Sequence, residues 1–143
     1  MNAKKILVPV DFSSGSEAAL DLATSLAHDS GAKLLIAYVQ VTPLAVGGGE
    51  FIYTVPEPPS DELQARLAKV LPKDPNIPVE HRLLHGDPSD CIVKLADDEQ
   101  VDFIVMGTHG RRGLTRILMG SVAELVVRWA KCPVITVKSP PKK

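Results

Sequence analysis

Three glycines and three arginines lie close together in the second half of the chain, in a pattern suited to binding an anion. The segment contains four glycines; those that form the pattern are Gly107, Gly110 and Gly120, and Ser121 follows the last of them directly. The arginines occupy positions 111, 112 and 116, between Gly110 and Gly120. Glycines let backbone N–H groups approach an anion because no Cβ intervenes, and guanidinium groups match the geometry of phosphate oxygens. The pattern therefore indicates a phosphate-binding loop.

The segments on either side of this loop are those that a phosphate site requires. An apolar run at 103–106 predicts a strand before the loop, and a helical pattern at 122–130 follows it. The first turn of a helix adds unpaired N–H donors and a positive dipole end. The spacing G-x2-G-x9-G-S matches neither the P-loop nor the G-x-G-x-x-G dinucleotide pattern. The alternative interpretation is a connecting loop whose glycines only form turns.

Composition limits the classes of protein to consider. A chain of 143 residues, 45% hydrophobic and 23% charged, predicts a single folded domain over 1–143. The net charge of −1 gives no reason to expect a nucleic-acid or membrane partner. No apolar run reaches the length of a signal peptide core or a membrane helix, which favours a cytoplasmic protein. Cys91 and Cys132 fit no metal-binding spacing and are expected to be reduced packing residues.

Apolar strand patterns alternate with helical patterns along the whole chain. Strands are predicted at 5–10, 33–41, 79–85, 102–106 and 133–137, and the charged third strand is expected at a sheet edge. Four helices fall between them, and 42–59, rich in glycine and proline, is expected to be an irregular, mobile loop. Strict alternation predicts an α/β fold: a doubly wound five-stranded parallel sheet, order 3-2-1-4-5, with helices on both faces.

Polar residues mark where several of the helices should begin. Capping boxes are predicted at Ser14 with Glu17 and at Ser121 with Glu124, while Asp87 is expected to cap the third helix. Gly31 should close the first helix, and the second is expected over 60–71. The fourth helix is expected to bury one apolar stripe, made of Val122, Leu125, Val126 and Trp129.

The predicted strand order places two chain segments on opposite sides of one crevice. Doubly wound sheets bind ligands outside the carboxyl ends of their strands, where the strand order reverses. Here that position lies between Pro9-Val10-Asp11, after the first strand, and Met106-Gly107, after the fourth. Asp11 would accept hydrogen bonds from ribose hydroxyls or hold a divalent cation. Its other role, compatible with the first, is to end the strand and cap the following turn.

Four segments of the chain resemble the universal stress protein family, in order and with similar spacing. They are ILVPVDFS at 6–13, VMGTHG at 105–110, GSVAE at 120–124 and CPVITV at 132–137. The glycine pattern resembles the nucleotide signature of the ATP-binding branch, and the resemblance covers nearly the whole chain. It implies the adenine nucleotide alpha-hydrolase-like fold. Only 40–59 departs from the family pattern, which leaves the covering of the adenine site open.

The resemblance also implies which residues would bind ATP or a related adenine nucleotide. The adenine would lie at the backbone of Val39, and the ribose would contact Asp11 and Gly107 beside Met106, with Pro9 and Val10 preceding the aspartate. The phosphates would rest on the backbone of Gly110, Gly120, Ser121 and Val122, and Asp11 would meet a nucleotide-bound Mg²⁺. His109 and Arg111 are further candidates for phosphate contact; the alternative is that both are solvated loop residues.

The sequence contains no recognisable catalytic constellation. The loop has no lysine, and no Ser-His-Asp or Cys-His arrangement can be identified locally. The expected function is therefore an ATP-binding stress-response regulator, a nucleotide-dependent switch with slow hydrolysis at most. The alternative is a dimeric stress module that binds no nucleotide and acts through protein partners. Because strand 133–137 is apolar and lies at a predicted sheet edge, we expect a homodimer paired through it.

Overall fold

A five-stranded parallel sheet forms the centre of the molecule. The computed structural model describes residues 3–41, 45–46, 50–51, 58–108 and 120–138. The strands of the sheet are β1 (Lys5–Pro9), β2 (Lys33–Gln40), β3 (Val79–His85), β4 (Phe103–Gly107) and β5 (Val134–Val137). They lie in the order β3-β2-β1-β4-β5, and every neighbouring pair is parallel. The predicted order is confirmed, and β3 and β5 are the two edges.

Helices cover both faces of this sheet. The helices are α1 (Ser14–Ser30), α2 (Ser60–Ala68), α3 (Pro88–Asp98) and α4 (Ser121–Trp129). The first two bury one face together with Ile6 and Val8 of β1, and the last two bury the other together with Leu7. All three of these β1 side chains are fully buried. An uninterrupted apolar run, such as the one over 5–10, is what a strand covered on both faces requires.

Two of the predicted helix starts are wrong by one residue. The N-cap of α1 is Ser13 rather than Ser14, because the extended backbone of Ser13 lets its hydroxyl accept from Ser16 N at 3.2 Å. The N-cap of α4 is Gly120, which has an extended backbone and no side chain with which to cap the helix. Ser121 is therefore the first helical residue, and its predicted capping box is absent. The cap at Asp87 and the left-handed Gly31 are confirmed.

The structure differs from the sequence-based expectation in three further places. Helix α2 ends at Ala68 instead of residue 71. Ala45–Val46 pairs antiparallel with Glu50–Phe51, a short ribbon inside the segment expected to be irregular; 42–44, 47–49 and 52–57 lie outside the described residues. The apolar stripe of α4 is only partly buried. Val126 is fully buried, but Leu125 is 37% exposed and Trp129 64% exposed.

One carboxylate joins the start of β1 to the turn before β4. Asp102 accepts hydrogen bonds from the backbone N–H groups of Lys4, at 2.7 Å, and Lys5, at 2.9 Å. These two bonds favour the charged form and hold the pKa of the Asp102 carboxyl below its usual range. The sheet pairing of β1 with β4 begins directly beyond them, at Ile6.

Replacing Asp102 by alanine should destabilise the protein in a pH-dependent way. Hydrogen bonds to a charged group contribute about 1.5–3 kcal/mol, and because this carboxylate is exposed we expect a smaller loss, about 1–2 kcal/mol. The pKa of Asp102 is lower in the folded protein than in the unfolded chain. Its contribution to the free energy of unfolding is therefore complete above the unfolded-state pKa and is lost as the pH falls through the folded-state pKa. Urea unfolding at neutral and strongly acidic pH measures it, with Asp29→Ala, another exposed carboxylate, as control. An equal loss at both pH values would contradict this assignment.

Candidate functional site

The sheet opens into a crevice at the carboxyl ends of β1 and β4. These two strands are paired only at Ile6–Phe103 and Leu7–Ile104. In contrast, β1 remains paired with β2 as far as Pro9, and β4 with β5 as far as Gly107. After they separate, β1 leads to α1 on one face and β4 leads towards α4 on the other. The crevice is therefore where the topology predicts a ligand site.

Asp11 follows β1 and is held by the start of α1. Its Oδ1 accepts from the backbone N–H of Ser13 at 3.0 Å and also from the Ser13 hydroxyl. Its own N–H donates to Ser16 Oγ at 3.4 Å. Asp11 thus has the structural role of closing the turn that caps α1. No hydrogen bond from the described part of the chain reaches Oδ2, so this half-buried carboxylate can still accept from a ligand.

Gly107 is pressed against the first turn of α1. A Cβ at Gly107 would lie 3.0 Å from the carbonyl carbon of Gly15 and 3.1 Å from its oxygen. Contacts this short are tighter than nine in ten real Cβ contacts, and backbone atoms cannot move aside as easily as a flexible side chain can. The absence of a side chain therefore lets the glycine loop begin directly beside the turn that carries Asp11. Met106, the residue before Gly107, is buried on the α4 side of the sheet.

The loop between β4 and α4 begins and ends at one point. Thr108 N donates to Val137 O at 3.0 Å, and Gly120 N donates to Thr108 O at 2.6 Å. The N–H of Gly120 is therefore bonded within the protein. The next two amides, of Ser121 and Val122, lie in the first turn of α4, where N–H groups have no intrahelical partner and the dipole is positive. His109, Gly110 and Arg111 lie outside the described residues.

A polar cluster closes the base of the connection between β2 and α2, at the carboxyl end of β2 beside Val39. Gln40 donates from Nε2 to Pro58 O at 3.2 Å and accepts at Oε1 from the Ser60 hydroxyl at 2.8 Å. His85 Nε2 lies 3.3 Å from the same hydroxyl. The connection that leaves the sheet after Gln40 is therefore hydrogen-bonded to Gln40 again where it ends, at Pro58 and Ser60. Sequence reasoning missed Gln40, Ser60 and Thr108, because each makes its contact with a residue far away in the chain.

Two further predicted site residues lie at the carboxyl end of β1: Pro9, the last residue of the strand, and Val10, which follows it. Val10 N donates to Ala37 O at 2.8 Å, which extends the pairing of β1 with β2 by one residue. Val10 is 7% exposed and Val39 is half-buried. Val10 packs on the face of the sheet covered by α1 and α2, whereas Met106 and Val39 pack on the face covered by α3 and α4. The crevice therefore combines one carboxylate oxygen that can still accept a hydrogen bond with a helix N-terminus.

The structure also bears on the metal, thiol and membrane expectations. Within the described ranges, no group of three or more His, Cys, Asp or Glu side chains could hold a metal ion. Cys91 and Cys132 are half-buried free thiols, and burial raises the pKa of both. His81 is bonded to Val70 O, at 2.7 Å. In the part of the chain that the structure describes, no helix is both long and apolar enough to cross a membrane.

Comparison with known sequences gives one family. The family model described as "Universal stress protein family" matches residues 2–138. The universal stress protein MJ0531 of Methanocaldococcus jannaschii is 37% identical over 145 residues, which cover 98% of this chain and 85% of that protein. A second protein of this organism, universal stress protein MJ0577, is 30% identical over 94% of both chains.

Solved structures agree in fold over nearly the full length. The structure of MJ0577 superposes with a TM-score of 0.73 at 28% identity, covering 99% of this chain and 100% of that one. A universal stress protein in complex with cAMP has a TM-score of 0.70 at 26% identity, covering 98% and 100%. A universal stress protein from Archaeoglobus fulgidus in complex with dAMP has a TM-score of 0.64 at 26% identity, covering 96% and 100%.

Replacing Gly107 by alanine should destabilise the protein even without a ligand. The added Cβ would force β4 and α1 apart at Gly15, and overpacking of this kind costs about 1–3 kcal/mol. Urea unfolding of the ligand-free protein measures the change. Ser14→Ala, at an exposed position in the same turn of α1, is the control and should unfold like the wild type. A Gly107→Ala protein of unchanged stability would show that the two backbones are not in close contact.

Proposed function

The chain belongs to the universal stress protein family, and on that premise we propose that it binds an adenine nucleotide, ATP or a related one, in the crevice between β1 and β4. The observation that carries the proposal is the combination of a complete G-x2-G-x9-G-S signature with Asp11, whose Oδ2 accepts no hydrogen bond from the described residues, across the crevice from the N-terminus of α4. Relatives of the same fold in complex with cAMP and dAMP support adenine as the base.

Each part of the nucleotide has a suitable group in this crevice. Asp11 Oδ2 would accept from the ribose hydroxyls beside Gly107. The amides of Ser121 and Val122 would donate to phosphate oxygens, and Gly120 would join them only by giving up its bond to Thr108 O. The remaining contacts follow the family pattern: adenine at Val39, apolar walls from Pro9, Val10 and Met106, further phosphate donors from His109, Gly110 and Arg111, and Mg²⁺ between the phosphates and Asp11.

This set of groups suits binding better than turnover. Asp11 is the carboxylate at the crevice, and its Oδ1 is already bonded to Ser13, so a freely positioned general base is lacking among the described residues. We therefore propose a nucleotide-dependent regulatory switch, with slow hydrolysis at most, formed by a single cytoplasmic domain over 1–143. Mass spectrometry of small molecules released from the purified, denatured protein tests the proposal directly, and calorimetry with ATP tests it on the ligand-free protein.

One observation favours a second candidate, a dimeric stress module that binds no nucleotide. Gly107 is required by its contact with Gly15, and the N–H of Gly120 is bonded to Thr108 O, so both glycines have structural reasons to be present. Such a module would act through protein partners. Absence of any released nucleotide, together with absence of calorimetric binding, would favour it.

We further propose a homodimer paired through β5. Pro133 O and Val137 O accept hydrogen bonds from β4, so the odd-numbered residues of β5 face the sheet and the N–H groups of Val134 and Thr136 face outwards. Such an edge is open to another strand. The neighbouring α4 exposes apolar side chains, with Val127 46% and Trp129 64% exposed. Antiparallel pairing with a second copy across a two-fold axis would close the edge.

Replacing Asp11 by alanine should weaken nucleotide binding more than it lowers stability. A hydrogen bond to a charged group contributes about 1.5–3 kcal/mol, roughly 10- to 150-fold in Kd, whereas loss of a cap or turn costs about 1 kcal/mol. Asp11→Asn keeps the Oδ1 acceptor and serves as the matched variant for the turn. Calorimetry gives the affinity and thermal unfolding the stability. A large fall in melting temperature with unchanged affinity would leave Asp11 a structural role only.

Removing one outward N–H from β5 should abolish the proposed dimer. Thr136→Pro deletes a donor on the open side of the strand and leaves the hydrogen bonds to β4 intact, so a folded monomer is expected. Thr136→Val retains the N–H and should remain dimeric. Light scattering coupled to size-exclusion chromatography reports the mass. A wild-type protein that is already monomeric would exclude this assembly.

A further inference from the structure

Phe12, directly after Asp11, has an unusual backbone conformation. Its φ of 65° lies in the left-handed region, which is unfavourable for a residue with a bulky side chain. The residues on either side of it form the hydrogen bonds of the turn, since Ser13 donates to Asp11 Oδ1 from both its N–H and its hydroxyl. The conformation of Phe12 therefore sets how Asp11 is presented at the crevice.

Contacts with two other elements hold the Phe12 ring in place. One face stacks on Tyr38 of β2, with ring centroids 4.8 Å apart and planes inclined by 22°. The guanidinium carbon of Arg66, on α2, lies 4.1 Å from the centroid of the Phe12 ring. Tyr38 is 1% exposed and fixed within the sheet, whereas Arg66 is on the surface. Aromatic stacking and a cation–π contact together can offset the cost of the left-handed backbone.

We propose that Phe12 is a positioning residue for nucleotide binding: the Phe12 stack, formed by Arg66, Phe12 and Tyr38, holds Asp11 with its Oδ1 on Ser13 and its Oδ2 available to the ribose. This inference rests on the nucleotide proposal above. In this proposal the ring acts through Asp11 rather than by direct contact with the ligand. Arg66 extends the effect to α2, so the position of that helix influences how the ribose is bound.

A ring that only fills space would behave differently in one measurement. Loss of packing alone lowers the melting temperature and leaves untouched the preference for a ribose with hydroxyl groups. Loss of positioning reduces that preference, because Asp11 is the group that would recognise the hydroxyls. The ratio of the Kd values for 2′,3′-dideoxy-ATP and ATP therefore separates the two roles.

The experiment measures this ratio by calorimetry for the wild type and three variants. Wild type should favour ATP by roughly tenfold or more. Phe12→Gly accepts the left-handed backbone but lacks the ring, and should reduce the ratio to within about twofold of unity. Arg66→Met keeps an apolar side chain and loses the cation, and should reduce the ratio by about threefold. Lys69→Met removes a nearby surface cation after α2 and should leave the ratio unchanged.

Each outcome decides between the proposals. A wild-type ratio near unity, or one that Asp11→Ala does not reduce, would overturn the ribose role of Asp11 and the positioning role with it. If Asp11→Ala does reduce the ratio, a Phe12→Gly protein with the wild-type ratio overturns the positioning role alone. The same holds if Phe12→Gly weakens the binding of both nucleotides equally, because the ratio is then unchanged. Should Phe12→Gly fail to fold, Arg66→Met decides by the same criterion. In a protein that already carries Asp11→Ala, adding Phe12→Gly should not change the ratio of the two Kd values further.

Discussion

The close contact between the backbones of Gly107 and Gly15 is the constraint on which the candidate site depends. It brings the end of β4 against the first turn of α1, although β1 and β4 have already separated in the sheet. The gap between β1 and β4 therefore opens where the two strands diverge. Just beyond that point, Gly107 and Gly15 bring the end of β4 into contact with α1. A side chain at Gly107 would widen this gap and move the turn of Asp11 away from the glycine loop. Tight packing here thus sets the geometry available to a ligand.

Local patterns were sufficient to predict the layered fold, because strands and helices are encoded by short-range periodicity. The alternation of strands and helices predicted a doubly wound parallel sheet, and the order 3-2-1-4-5 taken for it is the observed one. The helix starts at Ser13 and Gly120 were displaced by one residue, since an N-cap depends on backbone angles that neighbouring serines do not reveal. The Phe12 stack could not be predicted at all. It joins residues from three elements, and only the folded chain brings them together.

Several residues at the crevice have a structural role as well as a proposed binding role. Asp11 closes a turn, Gly107 permits a close approach, and Gly120 closes a loop. Each of these residues therefore stabilises the fold even when no ligand is bound. Phosphate binding at Gly120 would replace the hydrogen bond from Gly120 N to Thr108 O by one from Gly120 N to a phosphate oxygen. Such an exchange contributes little net free energy, so the amides of Ser121 and Val122 are the better anchors.

Both long connections at this end of the molecule are closed at their base, one through Gln40 and the other through Thr108 and Gly120. The sheet therefore holds the ends of each connection, whatever lies between them. For a flexible loop with fixed ends, doubling the length costs only about 0.6 kcal/mol in closure entropy. Natural variants can lengthen or rewrite these connections at small thermodynamic cost. The connection that begins at Gln40 carries none of the proposed phosphate ligands, so the same property makes it a suitable site for inserting a foreign peptide or a fluorescent reporter into the fold.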